Sequence, residues 1–387
     1  MSEVRVNNLS NENNTGGPTI SGITTYSGRH FFVPPQGDTA SRPSDYEPGS
    51  LRFNTDTAHL EYFRGNKIGW TEIEAEPSSD VLGGGTGSNE GLGHRAVFSV
   101  GQRSPSGYVT DIDFVTISTL GNAQDFGNAG VTRDKLASGS DATRGLFIGG
   151  EGVTDTIEFI TFASTGDATD FGNIGHGNQM RFCAGCSSST RTIFGGGYTG
   201  PAAYNTLEYV TTQSTGNGVD YGDLLEQTNA PAACSSSTRG VFAGGTTHNY
   251  SANKNTIQFF TMSSTGNTTD YGDLTQAKSK LSGASNATRG LFFGGDAPST
   301  VNDIDFITIA TTGNGTDFGD LISARARSCA AASSTRGITQ GGTNPSGSLN
   351  SIEFVEIATT GNAVDFGDGN GSGNSGAAAC SNGHGGL

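Results

Sequence analysis

From about residue 94 onward, short apolar runs alternate with runs of glycine, serine, threonine and asparagine, and one order of runs comes round six times. Aligned on Arg95, Arg144, Arg191, Arg239, Arg289 and Arg336, a copy opens with a small polar segment such as CAGCSSS, AACSSS, SGASNA or CAAASS. An apolar segment closing on glycines follows, as in RGLFIGG, RTIFGGG, RGVFAGG and RGLFFGG. The third segment is β-branched and aromatic: DIDFVTIS, TIEFITFA, TLEYVTTQ, TIQFFTMS, DIDFITIA and SIEFVEIA. A short fourth begins at an Asp-aromatic-Gly triplet. Runs of this length and composition, bounded by turn residues, predict four antiparallel strands per copy and an all-β chain.

The spacing within copies separates constant from variable connections. Six Gly-to-Asp-aromatic-Gly turns begin at Gly121, Gly166, Gly216, Gly266, Gly313 and Gly361, and in every copy the apolar residue opening the third strand stands nine positions earlier, as Ile112 does before Gly121. The connection from second to third strand varies in length and content, for example YTGPAAYNT against TTHNYSANKNT. A unit repeating at about 45 to 50 residues predicts a stack or ring of small sheets. The two ends of the array favour a ring. The first copy, residues 94–130, lacks a small-residue first strand, and residues 375–385 supply one with nothing after it. Closure by that strand leaves no open sheet edge, so the expected architecture is a six-bladed β-propeller over residues 92–387.

At these residues the chain resembles the kelch family of β-propellers, in which an arginine, an apolar strand ending in paired glycines and an aromatic strand recur in each blade. The pairs here are Gly149-Gly150, Gly196-Gly197, Gly244-Gly245, Gly294-Gly295 and Gly341-Gly342, and the outer aromatic is Phe or Tyr in place of the kelch tryptophan. The resemblance implies that the aromatic packs between blades.

Composition sharpens this picture. The chain has 387 residues, 61 glycines and a formal net charge of −16, too glycine-rich for a helical protein and too acidic for a general nucleic-acid binder. No apolar stretch is long enough to span a membrane, and the first residues lack the pattern of an export signal, so a soluble protein is expected. The acidity suits a protein held soluble at high local density.

Antiparallel order puts the variable connections and the segments entering each first strand at the same end of the sheets. Those segments carry Arg133, Lys135, Arg181, Lys278, Lys280, Arg325 and Arg327, and the loops around them carry Tyr108, Tyr198, Tyr204, His248 and Tyr250. Two readings stand: a basic, aromatic-rimmed concavity for an anionic glycan or a partner's carboxylates, or cations that only offset the carboxylates of neighbouring copies. The repeated Asp125, Asp170, Asp220, Asp270, Asp317 and Asp365 are read as turn residues bonding their own backbone, with calcium binding as the alternative. Cys186, Cys234 and Cys380 share a position held elsewhere by Gly139, Ala284 and Ala331, which predicts tight packing; Cys183 and Cys186 have metal or redox spacing but no second pair. No histidine recurs at a common position and no serine sits in a nucleophile elbow. No catalysis, metal or cofactor is expected.

The N-terminal part divides into a polar arm (1–18), a β-rich module (19–73) and a Gly/Ser-rich linker (74–91). GSLRFNTDTAHLEYFRGNKIGWTEI, Gly49 to Ile73, predicts a hairpin around Asn54 to Ala58 and a second turn at Gly65-Asn66 leading to Trp70. This phrase resembles a module of bacteriophage virion proteins, especially tail-fibre and other appendage proteins of marine cyanobacterial phages. The resemblance implies a non-enzymatic virion protein, anchored to other virion proteins through this module, assembled as a homo-oligomer, and displaying its repeats to a host-surface glycan or protein. A decoration or connector protein gripping other virion proteins is the alternative, and a glycan-cleaving propeller a third.

Overall fold

The computed structural model describes residues 34–44, 47–57, 59–67, 69–73, 94–99, 101–152, 155–176, 180–200 and 202–387. The arm and the linker expected over 1–18 and 74–91 lie outside the described residues. The chain forms two compact units, Met1–Ala75 and Glu76–Leu387, and every regular element among the described residues is a β-strand.

The larger unit contains six four-stranded antiparallel sheets, one per sequence copy. The second sheet runs Ala137–Ser140, Arg144–Ile148, Thr156–Thr161 and Thr169–Asn173, paired in that order. The third to sixth sheets repeat this plan from first strands Ala184–Ser187, Ala232–Ser235, Ser282–Ser285 and Cys329–Ala332. The first sheet takes its first strand from the far end of the sequence: Ala378–Ser381 pairs with Arg95–Ser99, with Ala378 opposite Ser99 and Ser381 opposite Ala96. The expected completion of the first copy by the last strand is what the pairing contains.

Each first strand lies against the first strand of the next sheet, and the last contact returns from Cys329–Ala332 to Ala378–Ser381 and on to Ala137–Ser140. Their small residues permit this approach, and serines stitch it: Ser187 Oγ, Ser235 Oγ and Ser285 Oγ accept from the amides of Ser140, Ser187 and Ser235 at 2.8, 3.3 and 3.1 Å. Ser140 Oγ donates to Ser381 O at 2.8 Å and Ser381 Oγ to Ala332 O at 2.5 Å. The apolar core is divided among six clusters, each built from two successive sheets. Val97, Phe126 and Cys380 of the first meet Phe147, Ile160 and Phe162 of the second, and the sixth meets the first around Ile338, Phe366, Phe98 and Ile117. Each copy therefore has a core only in company, as stacked repeats require.

The repeated turn motif has a mechanical explanation. The ladder between third and fourth strands slips at one point in all six sheets, as where Ile157 faces Gly172 but Glu158 faces Asp170. The slip is a β-bulge at the aromatic, which aims Phe171 inward while Asp170 stays exposed. The ring then packs edge-on to the third-strand aromatic: Phe114–Phe126, Phe159–Phe171, Tyr209–Tyr221, Phe259–Tyr271, Phe306–Phe318 and Phe354–Phe366, with centroids 5.8 to 6.2 Å apart. The following glycine admits the next copy's turn: a Cβ on Gly272 would stand 2.5 Å from Gly313 O. That turn's amide donates back across the gap, Gly313 N to Tyr271 O at 2.9 Å, and the set closes with Gly121 N to Phe366 O at 2.9 Å.

The repeat arginines also work between sheets. Each guanidinium lies over its own third-strand aromatic, 4.5 to 5.0 Å from the centroid. Each also donates to a carbonyl at the end of the next sheet's third strand, from Arg95 to Phe162 O through to Arg336 and Ile117 O.

The smaller unit is a four-stranded sheet, Gln36–Gly37, Leu51–Asn54, His59–Phe63 and Trp70–Ile73, the first pair parallel and the others antiparallel. The two expected turns are where the sequence places them. Glu61 is buried in this sheet and held below its usual range by Arg42, against its own burial, with Asn54 donating at 2.8 Å.

Candidate functional site

At the loop end, where variable connections and first-strand entries meet, one residue per copy adopts a left-handed backbone: Gly376, Lys135, Phe182, Ala230, Lys280 and Arg327, with φ between 52 and 66°. Their amides and carbonyls form a closed set of hydrogen bonds. Lys135 N donates to Gly376 O, Phe182 N to Lys135 O, Ala230 N to Phe182 O, Lys280 N to Ala230 O, Arg327 N to Lys280 O and Gly376 N to Arg327 O, all at 2.6 to 3.0 Å. Only glycine takes this conformation freely; other residues lose roughly 1 kcal/mol or more. Five copies nevertheless carry a side chain there. With the residues that follow them these six line a cavity of about 70 Å³.

The seven predicted cations divide sharply. Arg133, Lys278 and Arg325 are fully buried, which removes them from the expected surface patch. A repeated acid on the third strand explains why. Arg133 Nη2 meets Glu158 at 2.8 Å, Lys278 Nζ meets Asp303 and Asp305 at 2.5 and 2.8 Å, and Arg325 bonds Glu353. Arg133 and Arg325 also donate to main-chain carbonyls, Thr156 O at 2.6 Å and Ser351 O at 3.1 Å among them. Burial pushes Arg325 down and Glu353 up, and their contact opposes both shifts. The fourth copy has neutral residues at both places, Gln258 and Thr228. The third has Glu208 with Met180, and there His176 bonds the carboxylate at 2.5 Å.

Lys135, Lys280, Arg327 and Arg181 remain at the loop end. Lys135 pairs with Glu151, Lys280 with Asp296 at 2.7 Å and Arg181 with Glu151 at 3.0 Å. Among the described residues no carboxylate lies within 4 Å of Arg327. The seven cations therefore divide: three balance buried acids, and four border the cavity or its rim.

The aromatic residues follow the same division. Phe182 and Tyr198 stack at 6.3 Å, Tyr250 meets both edge-on at 6.4 and 6.3 Å, and His248 adjoins Tyr198 at 6.1 Å. Lys135 and Arg327 lie over Phe182 at 5.1 and 5.6 Å, Lys280 over Tyr250 at 5.1 Å and Arg181 over Tyr198 at 5.8 Å. Tyr250, itself left-handed at φ 56°, stays largely exposed, while burial pushes its phenol up to about 12. Asn229 is wholly buried, and its side-chain amide interacts with the Tyr250 phenol. Tyr204 sits on His176 at 5.2 Å and bonds Thr199 at 2.9 Å. Tyr108 belongs to a small sheet of Gly107–Tyr108, Gln102–Arg103 and Asn374–Ser375. Further connections expected as loops contain hairpins, Tyr198–Thr199 with Ala202–Ala203 and Thr343–Asn344 with Gly347–Ser348.

A second cavity, of about 50 Å³, lies among the six first strands. Its far end is occupied by residues 382–387. His384 Nε2 donates to Ser140 O at 2.8 Å and Nδ1 accepts from Gly386 N at 3.1 Å, the neutral tautomer; burial holds its imidazole below the ordinary range. The sequence reading placed residues 375–385 in the completing strand; that strand is Ala378–Ser381, and 382–387 continue beyond it.

No set of three or more His, Cys, Asp or Glu side chains among the described residues could hold a metal ion. Burial pushes the Cys183, Cys186 and Cys329 thiols up to about 12 and raises Cys234 and Cys380 as well, so they act as small apolar groups. Cys380 and Cys234 face Gly145 and Gly290 of the next sheet, where an added Cβ would approach within 2.6 and 2.5 Å of the sulfur. Of the motif aspartates, Asp317 accepts from Gly319 N at 3.2 Å. The general capping falls instead to the residue after the turn glycine: Asp167, Asn217, Asn267, Asn314, Asn362 and Asn122 accept an amide of the preceding sheet at 2.9 to 3.1 Å.

The sequence reading passed over Phe182, Asn229 and the buried acids. A stricter alignment would have shown Phe182 in one column with Lys135, Lys280 and Arg327, and an acid between the apolar residues of five of the six third strands. No protein-family model matches the chain, and no curated protein matches it.

Proposed function

We propose that residues 92–387 form a six-bladed β-propeller of kelch type, and that the chain is a non-enzymatic structural protein of a bacteriophage particle. In this reading it is a tail-fibre or capsid-fibre appendage whose loop end contacts a host-surface glycan. The cyclic contacts of the six first strands and completion of the first sheet by Ala378–Ser381 support the propeller. The likeness of Gly49 to Ile73 to a virion module supports the particle. The observation that carries the recognition reading is the contrast between ends: six nearly identical turns against a loop end whose copies differ and border a charged, aromatic cavity.

A decoration or connector protein binding other virion proteins is the second reading. It is favoured by the pairing of Lys135, Lys280 and Arg181 with carboxylates, which leaves a mixed-charge surface of the kind protein partners meet. Immunogold labelling of purified particles, with binding of the labelled full chain to host envelope polysaccharide, tests the proposal. Label on an exposed appendage together with saturable polysaccharide binding is expected. A protein absent from particles overturns the virion reading, and particle-bound protein without polysaccharide binding moves the choice to the connector.

A further inference from the structure

The left-handed positions present a choice that backbone geometry alone does not explain. All six copies need this conformation to close the hydrogen-bonded set, and Gly376 shows that glycine serves. Yet Lys135, Lys280 and Arg327 stand at three equivalent places, where a long side chain is strained. Pairing with an acid, as of Lys280 with Asp296, does not call for this backbone, since Lys278 pairs with Asp303 and Asp305 without it. The strain instead fixes where the cations go: they border one cavity, with two of them on the ring of Phe182.

We infer that Lys280, Arg327 and Lys135 together hold a single oxyanion, a sulfate ester or a carboxylate, carried on a saccharide. The cavity's 70 Å³ is room for a few waters and suits one such group. Arg327 supplies a guanidinium with no carboxylate within 4 Å among the described residues, although Asp134 and Glu151 feel its charge; its fork suits planar and tetrahedral oxyanions. The outlying sugar ring has exposed Tyr250 to lie against, and the buried Asn229 side chain anchors that tyrosine's phenol. Asp134, Glu151 and Asp296 face Lys135, Arg181, Lys280 and Arg327, so the cations exceed the acids by one. The inference rests on the loop end being the recognising end.

Calorimetric titration of the full chain tests it with four probes: an oligogalacturonate, a sulfated galactan oligosaccharide, its desulfated counterpart and a polyglutamate peptide. Binding of at least one charged saccharide is expected, with the neutral one silent. Lys280→Gly and Arg327→Gly should each weaken binding about tenfold or more, while the thermal midpoint holds or rises because glycine relieves the strain. Lys67→Gln, in a turn of the N-terminal unit, should change nothing. Equal binding of charged and neutral saccharides, preference for the peptide, undiminished affinity in the glycine variants, or a midpoint lowered by them would each overturn the inference. Host polysaccharide binding that survives the glycine variants sinks this site alone; no polysaccharide binding at all sinks the recognition reading with it.

Discussion

The two ends of the six sheets are held together by different chemistry. At the turn end each copy repeats the same device: a bulged aromatic, a glycine without a Cβ to obstruct the next turn, an amide crossing to the neighbouring carbonyl and a side-chain oxygen capping it. The central cavity is filled on that side by residues 382–387. At the loop end the backbone again closes a hydrogen-bonded set, but side chains vary among the equivalent places, and charged pairs, some buried and some partly open, do the joining. The parts of the turn end are interchangeable, whereas at the loop end one backbone position holds Gly, Lys, Phe, Ala, Lys and Arg in turn.

The contrast is sharpest within one segment of the sixth sheet, where Arg325 and Arg327 are two residues apart. Arg325→Met leaves Glu353 buried without its partner, and a loss of about 3 to 5 kcal/mol is expected. The double change Arg325→Met with Glu353→Leu should recover most of it, since an apolar pair of similar bulk needs no desolvation. Arg327→Met should move stability by less than about 1 kcal/mol. Urea denaturation followed by circular dichroism reads all three, and equal losses at the two arginines would erase the distinction between structural and available cations.

At the turn end the corresponding test is steric. Gly272→Ala places a Cβ 2.5 Å from Gly313 O, backbone against backbone, at a φ of 147°. A loss of at least about 3 kcal/mol is expected, since neither side can yield by rotating a side chain. Residues inserted between Pro345 and Ser346, in an exposed loop-end connection, should lower stability by under about 1 kcal/mol. An insertion as damaging as the glycine change would show that the loop end is as constrained as the turns.

The strand plan and its register were legible because every copy obeys one apolar-polar order, and six copies average out local ambiguity. The missing first strand of the first copy was legible for the same reason. Burial of the charges was not. Arg133 and Lys135 are adjacent in composition and alternate by two, yet one bonds a buried glutamate and the other borders the cavity. The difference lies in the left-handed kink at Lys135, which turns the chain just where strand periodicity would have put both on one face. Phe182 was passed over because an aromatic among small residues reads as core, and its position over the cavity depends on that same kink. The amide-capping role went to the wrong residue: Asp317 does bond its own turn, but a bond across two sheets, such as Asn314 to Asp273, leaves no mark in the spacing of either.

The buried acids of the loop end also separate by their partners, and pH reads the separation. Burial raises Asp113 to about 6, with Arg103 at 3.2 Å only partly opposing it. In Glu208 burial is outweighed by His176 and the Gly175 amide, and its carboxyl lies below the ordinary value. For Asp113 the folded value stands above the unfolded one of 3.8, so its contribution is fully present below about pH 4. It is lost as pH rises through about 6, because the unfolded chain releases the proton first. For Glu208 the order is reversed: its contribution is present above the unfolded value and lost as pH falls through the folded one. Relative to wild type, Asp113→Asn should therefore gain stability as pH rises from 4 to 6, by at most about 3 kcal/mol. Glu208→Gln should lose stability relative to wild type over the same rise. Chemical denaturation at half-unit steps between pH 4 and 7 gives both slopes, and slopes of the same sign would mean that the two acids share one environment after all, leaving the loop end as uniform as the turns.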